Sequence, residues 1–597
     1  MKIVIDKVTG MQPKVATHQL DKSQAAIATN ARVEKGDIRG WRAGLVTEAS
    51  IGSEDWQTLF QYMEGVNSHW VYFENDVDWA TSPLPSDAFE RLYFIGDTSP
   101  KAFASDLISV NFDQDTDYYK FGAAVPTTAP TIDAGYTPGS TYRAYYYTYV
   151  TRYGEETGPS PVDSVTNYGS GNVTLSAFTQ PPAGYALRTK VGTNAPKIRV
   201  YRTNSSISSA EFQYVGQFDI ETGTFNFASG TFTDSVADAN LGEVCPTEDY
   251  EGVPSGVSGL VGLSNGVFAT FKGNTIYFTE PYLPHTWQYS ITIDFDVVGI
   301  GSYGTNVIVG TEGAPYIINA NDVTNLYPLK IETPSPCVSK RSLVSTPSGV
   351  IFSTFDGLIL VNNNGAKNIS SDFLTPTEWV DYIPNSIHGY YYNDKYFGFY
   401  KDLSSEGGFI LDIRNNLFTT IANYHLAAYI AIVNGKFFTI FNEAIREWEG
   451  DYYNYLNYTW KSKKFITDYD TSFSFAQIII DIEFYNDVLN AIAENQYLQG
   501  LNATLFATGD VIDQFNSYIF TGEEFNGSGL YDFNNVNISN KVTVTFFVDN
   551  KIILTKNVTD SNWFRLPSHR GRRFDIQVSG YIPVRKISIA TNPKDVR

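Results

Sequence analysis

The sequence predicts an all-β protein: a β-propeller, a β-sandwich inserted into it, and a C-terminal β-sandwich. Three observations carry this. Short polar turns recur at Asn265-Gly266, Thr305-Asn306, Ser348-Gly349, Asn393-Asp394 and Asn434-Gly435. From Asn265 to Asn306, Ser348, Asn393 and Asn434 the steps are 41, 42, 45 and 41 residues, the period of a four-stranded propeller blade. Each turn is followed by a run rich in β-branched or aromatic residues: Val267-Phe-Ala-Thr-Phe, Val307-Ile-Val-Gly, Val350-Ile-Phe-Ser-Thr, Tyr396-Phe-Gly-Phe-Tyr and Phe437-Phe-Thr-Ile-Phe. Such runs, flanked by Asn, Gly and Asp, read as strands. The composition agrees, with 41 Tyr and 40 Phe against 3 Met. One small sheet cannot bury its faces alone, whereas sheets packed around an axis can. A long array of β-sandwiches is the other architecture with this spacing.

Taken in order, residues 1–39 are polar and mixed, and read as an extended arm lying on a partner or on the body, or as a disordered tail. Residues 40–126 return to strands, Trp70-Val-Tyr-Phe and Leu92-Tyr-Phe-Ile among them, and read as the first part of the propeller. Pro126-Thr-Thr-Ala-Pro-Thr is a linker by composition. Residues 127–250 carry a long tyrosine-rich strand from Tyr142 and then short strands at sandwich spacing. This block is similar in pattern to a fibronectin type III or Ig-like β-sandwich, standing off a propeller whose second part is 251–465. Residues 466–597 read as a C-terminal β-sandwich. Val488, Leu489, Ile492 and Leu498 lie at helical spacing, so a short helix is expected between Phe484 and Leu505.

Charge restricts function. Lys and Arg number 42 against 64 Asp and Glu, a net charge of −22. Such a chain is a poor general nucleic-acid binder, because phosphate contacts need cations. Its two cysteines, Cys245 and Cys337, make no disulfide framework and fit a reducing assembly compartment with both thiols free. No signal peptide is legible at Met1-Lys-Ile-Val, and no apolar run is long enough to span a membrane.

No motif carries catalysis, so no catalytic, cofactor-binding or metal-binding residue is assigned and no enzyme activity is expected. Gly299-Ile-Gly301-Ser-Tyr-Gly304 has the spacing of a dinucleotide fingerprint, but a strand follows it where a helix N-terminus is required. Asp113-Gln-Asp115-Thr-Asp117 begins like a calcium loop, yet Tyr118 and Ala124 stand where Gly and Glu are needed. His18, His69, His285, His388, His425 and His569 have no ligand spacing. Asp76 and Asp78, beside Trp79, imitate a glycosidase carboxylate pair, though strand neighbours two apart are common. Arg565, Arg570, Arg572, Arg573, Arg585 and Lys586 form a basic cluster. Its partners are the chain's own carboxylates, an acidic partner surface or phosphates.

Three stretches together resemble the tail nozzle proteins of short-tailed bacteriophages, also called tail tubular protein B. The first is Asp76-Val-Asp-Trp with Ser82-Pro, Arg91-Leu-Tyr and Pro100-Lys. The second runs from Leu260-Val-Gly-Leu-Ser-Asn-Gly through Tyr277-Phe-Thr-Glu-Pro-Tyr-Leu-Pro-His-Thr-Trp287 and Gly310-Thr-Glu312 to Cys337-Val-Ser-Lys-Arg-Ser342 and Gly357. The third is Trp460-Lys-Ser-Lys with Arg565-Leu-Pro-Ser, Arg573, Gly580 and Val584. The resemblance implies a structural virion protein: a homohexameric ring in the virion tail, below the portal and adaptor. It implies tail fibres and the host cell surface as further partners. Genomic DNA would be held until ejection and then pass without specific binding, and assembly would take place in the bacterial host cytoplasm. The competing expectation is a receptor-binding or glycan-degrading tail propeller or tailspike.

Overall fold

Alternating strands joined by tight polar turns fold into meanders, and among the described residues of the computed structural model six four-stranded antiparallel meanders of propeller-blade type are present, five as separate sheets and one as part of a ten-stranded sheet. It describes every residue except 109–110, 123, 134, 188–193, 205–210, 221–223, 452–453, 482, 485–489, 491–492, 494–496, 498–540 and 597. The helix expected between Phe484 and Leu505 lies for the most part outside the described residues. Strands make up nearly all of the regular structure of the described residues, as the sequence predicts.

The chain divides into two compact units. One comprises residues 55–354 and 359–367. Its first blade runs Asp78–Thr81, Leu92–Ile95, Lys101–Phe103 and Tyr118–Lys120. The second is Ser258–Gly262, Phe268–Lys272, Thr275–Phe278 and Tyr289–Thr292, and the third Val297–Tyr303, Asn306–Thr311, Tyr316–Asn319 and Tyr327–Lys330. The fourth is built on Val344–Thr346, Gly349–Thr354, Gly357–Asn362 and Gly365–Asn368. Each predicted turn here joins a blade's first strand to its second. Gly266 and Gly304 take positive φ, 78° and 64°, which glycine adopts without steric cost. Neighbouring blades share cores: Phe271, Ile276 and Phe278 of the second pack with Val307, Val309 and Ile318 of the third. Ile308 and Ile317 pack with Val350, Phe352 and Val361 of the fourth. This is the nearest-neighbour burial that a repeat architecture requires.

The inserted sandwich belongs to the same unit. One sheet is Thr131–Asp133, Val173–Ser176 and Phe232–Asp234; the other is Asp163–Gly171, Tyr136–Val150, Lys197–Thr203 and Phe212–Asp219. Tyr145, Tyr147, Tyr149, Val173, Leu175, Ile198 and Val200 fill the space between them. The sandwich does not stand off the blades. Ala186 and Tyr153 pack into the core that Tyr93, Tyr119, Phe121, Phe268 and Trp287 form.

The other unit comprises residues 1–54, 355–358 and 368–597. Its blades are His388–Tyr392, Lys395–Lys401, Glu406–Asp412 and Leu417–Ile421, then Ala428–Ile430, Phe437–Phe441 and Ala444–Glu447 completed by Leu45–Ala49. The last sheet thus joins strands about four hundred residues apart, with Leu45 opposite Glu447 and Ala49 opposite Ala444. Asn393 and Asp394 both take positive φ, 49° and 61°, the geometry of a two-residue I′ hairpin. Residues 1–39 lie on the body, as one of the two expectations had it, and supply the strands Lys2–Ile5, Ala25–Thr29 and Ala31–Arg32. Lys2–Ile5 pairs with Val584–Ala590, and Ala25–Thr29 lies between Leu417–Ile421 and Tyr458–Ser462. The C-terminal sandwich packs the sheet of Lys2–Ile5, Val584–Ala590, Phe475–Ile480 and Phe564–Arg565 against that of Tyr458–Ser462, Gly571–Gly580, Val542–Val548 and Lys551–Val558. Val544, Phe546, Phe574, Ile576, Val578, Ile478 and Ile587 lie in its core.

Candidate functional site

Asp76 and Asp78 flank the start of the first blade, and both meet one cation. Lys340 Nζ lies 2.9 Å from Asp76 Oδ2 and 2.5 Å from Asp78 Oδ2. Lys340 opens the short 3-10 turn Lys340–Ser342, whose next residue, Arg341, donates to the carbonyl of Gln57. Burial pushes the Asp78 carboxyl up against the opposing pull of Lys340. Burial also disfavours the Lys340 ammonium, but the two carboxylates outweigh it and hold the lysine charged. Trp79 stacks on Phe60, with ring centroids 5.4 Å apart. This constellation is a salt-bridged joint in which the lysine occupies the space between the acids. Lys340→Met is expected to destabilise this unit by about 1–3 kcal/mol, by leaving two carboxylates without their cation. Adding Asp78→Asn should restore much of the loss in denaturant unfolding; additive losses would contradict the joint.

A second joint escaped the sequence reading. Arg91, 3% exposed, pairs with Asp87 at 2.7 Å and with Glu155 of the inserted sandwich. Its guanidinium lies 4.9 Å from the Tyr153 ring centroid. Next to it Arg152 sits 3.1 Å from Asp106, and the Tyr153 hydroxyl donates to Asp106 at 2.8 Å. His285 Nε2 is 3.1 Å from the Glu156 carbonyl, and the Trp287 backbone N–H donates to the Glu251 carbonyl at 2.9 Å. Burial lowers the His285 pKa against the opposing pull of Glu155. The available signal was charge inside apolar surroundings: Arg91 directly precedes Leu-Tyr-Phe-Ile, and Glu155-Glu156 follows a tyrosine-rich strand.

The remaining motif residues take structural places. Gly299, Gly301 and Gly304 lie on a blade strand and its turn. The Asp113 side chain accepts from the Asp115 N–H at 3.0 Å, and that of Asp117 from the Asp113 N–H at 2.9 Å. Among the described residues no group of three or more His, Cys, Asp or Glu is placed to hold a metal ion. His69 meets Glu64 and His388 meets Tyr390, each at 3.1 Å. Cys245 and Cys337 are buried, unpaired thiols, and burial pushes that of Cys337 up to about 12. Of the basic cluster, Arg572 pairs with Asp470 at 2.9 Å and Arg585 with Asp481 at 2.8 Å. Arg565, Arg570 and Arg573 are exposed.

His425 provides a pH-dependent term. It is buried against Phe399 and Phe441, with centroids 5.0 and 4.9 Å away. Burial, reinforced by the Arg446 charge, lowers its pKa from 6.5 to about 3. The folded ring stays neutral while the unfolded chain takes up a proton, so stability falls as pH drops from 6.5 towards about 3. The slope is about 1.4 kcal/mol per pH unit for one such group. His425→Phe should flatten this slope in denaturant unfolding at pH 7 and pH 5 (~2 units apart). Equal acid sensitivity in both proteins would contradict the assignment.

No family model and no curated protein matches the chain. Among solved structures it is similar to Saccharomyces cerevisiae Sqt1, at 9% identity and a TM-score of 0.23, over 66% of this chain and 98% of that one. For BamB from Moraxella catarrhalis the values are 10%, 0.20, 36% and 67%. For the N-terminal domain of Nup159 they are 14%, 0.21, 34% and 58%, so the chain spans just over half of that structure. At these scores the likenesses carry no argument about this chain.

Proposed function

We propose that this chain is a structural subunit of a short bacteriophage tail: a nozzle that extends the DNA channel as a homohexamer, retains the genome and conducts it at ejection. The observation that supports this reading is where the nozzle-like residues go. Asp76 and Asp78 of the first stretch close on Lys340 of the second. Arg91 of the first and His285 of the second converge on Glu155 and Glu156 of the inserted sandwich. These residues brace blades and sandwich into one unit, which is what a conduit wall under load requires.

Charge supports the same reading. At a net charge of −22, the protein repels phosphates over the range that salt leaves unscreened, so a passing duplex meets little grip. In this reading the partners are its own copies, the adaptor and portal, tail fibres and, at the tip, the host surface. The duplex passes without specific binding, and assembly takes place in the bacterial cytoplasm before the chain takes its place in the virion tail. Electron microscopy of particles labelled with antibody to this chain tests it. Label confined to the tail below the portal is expected; label on the capsid or on peripheral spikes alone would reject the nozzle.

A further inference from the structure

Asp78 opens the first blade, and Lys340 stands in the turn that leads into the fourth. About 260 positions of chain separate them. Lys340 Nζ lies 2.5 Å from Asp78 Oδ2 and 2.9 Å from Asp76 Oδ2, so an amine, an acyl carbon and a second carboxylate share one site. The Lys340 and Asp78 side chains are 23% and 27% exposed, yet Asp78 Oδ2 itself is shut off from solvent. The backbone N–H of Gly259, in the second blade, donates to the Asp78 carboxyl. Gly299 of the third blade lies under the lysine stem: a Cβ there would stand 3.4 Å from Lys340 Cγ. Three blades and the turn entering the fourth thus hold the amine against the acid.

We infer that Lys340 Nζ condenses with Asp78 Cγ into an intramolecular amide, with Asp76 as the proton relay. Asp76 accepts a proton from the ammonium, and the freed lone pair forms the N–C bond at Asp78 Cγ. The C–O bond to one Asp78 oxygen breaks and its electron pair goes to that oxygen. The oxygen leaves as water with two of the three Nζ protons, and the third stays on the amide. Nothing is oxidised or reduced, and no co-reactant is needed. Free in water, such groups hydrolyse rather than condense. Here they are held in contact, where effective molarities reach about 10⁵–10⁸ M, and one neutral amide replaces two opposite charges that burial disfavours. The Gly259 N–H bonds the carboxyl that gains charge at the tetrahedral carbon. Burial already pushes the Asp78 carboxyl up, towards the neutral acid that is attacked. The resting lysine is charged, so free amine is scarce and the bond forms slowly after folding; a freshly folded chain holds the ion pair described above. The amide closes a long loop, the kind of cross-link that constrains an unfolded chain most. The inference does not depend on the nozzle reading.

Intact mass of the full chain, read after denaturation at intervals during incubation of the folded protein at neutral pH, tests it. The fraction lighter by one water should grow with time, and proteolysis should release a branched peptide pair joined between Lys340 and Asp78. Lys340→Arg keeps a cation in place without a condensing amine and should hold its full mass. Asp76→Asn keeps amine and acid without the relay and should slow the loss of water roughly tenfold or more. A succinimide formed at an aspartate also sheds one water, so the branched pair is the deciding product. A wild-type chain that keeps its full mass, or that loses water without the branched pair, overturns the inference. This wild-type result decides even where a variant fails to fold. An undiminished rate in a folded Asp76→Asn chain would overturn the relay.

Discussion

Arg91→Met should cost the unit of residues 55–354 and 359–367 about 3–5 kcal/mol, the usual result of removing one partner from a buried ion pair. Asp87 and Glu155, with side chains 6% and 11% exposed, would be left without the guanidinium that neutralises both. The loss has a location. Asp87 belongs to the first blade's connection and Glu155 to the inserted sandwich, so the variant should release the sandwich before the blades unfold. Hydrogen exchange read separately on Lys197–Thr203 and on Phe268–Lys272 measures this; loss of protection confined to the sandwich is expected, and uniform loss would contradict the joint. Acid should imitate the variant. Burial disfavours the Asp87 carboxylate, but Arg91, helped by the Ser82 hydroxyl, outweighs it and holds its pKa below 3.8. A carboxyl lowered in the folded state contributes stability that is present above 3.8 and lost as pH falls through its folded value.

Asp234→Ala should be at least as severe, because its environment is drier. Arg202 and Asp234 have fully buried side chains, and Arg202 Nε lies 2.8 Å from Asp234 Oδ2. The Tyr145 hydroxyl donates to the same oxygen at 2.8 Å, and Arg202 also meets Asp238 at 2.8 Å. Arg202 and Asp234 belong to opposite sheets, so the pair fastens the sandwich across its core. Truncating Asp234 leaves an arginine buried with part of its charge uncompensated, and a loss of about 3–5 kcal/mol is expected. The control is Arg202→Met with Asp234→Leu. Replacing a whole buried pair by apolar groups is often neutral or stabilising, so the double variant should unfold near the wild type in denaturant. A double variant as unstable as Asp234→Ala would show that shape, not charge, makes the site.

The sandwich core and the blade turns differ in how far they can be read from sequence. Asn265-Gly266, Asn393-Asp394 and Asn434-Gly435 are legible because a tight hairpin needs positive φ, which few residues tolerate. The tyrosine-rich strand from Tyr142 to Val150 is legible by composition. The closing strand Leu45–Ala49 and the pairing of Lys2–Ile5 with Val584–Ala590 are not, since their partners are selected by the folded edges that receive them and no local pattern names those edges. The ionic joints hide for a related reason. Arg91 and Glu155 are 64 positions apart, and a lone arginine beside apolar residues has the same sequence signature whether its partner is a carboxylate or water. Asp76 and Asp78 were visible as a pair, but Lys340, 264 positions from Asp76, decides what the pair does.

The proposed nozzle is a ring subunit, and the number of copies around the tail axis tests that proposal most directly. Electron cryomicroscopy of intact particles, focused on the tail, gives that number without purification of the chain. Six copies of the 66.5 kDa chain lining one continuous channel are expected. Three or five copies, or six copies attached outside the channel wall, would contradict it.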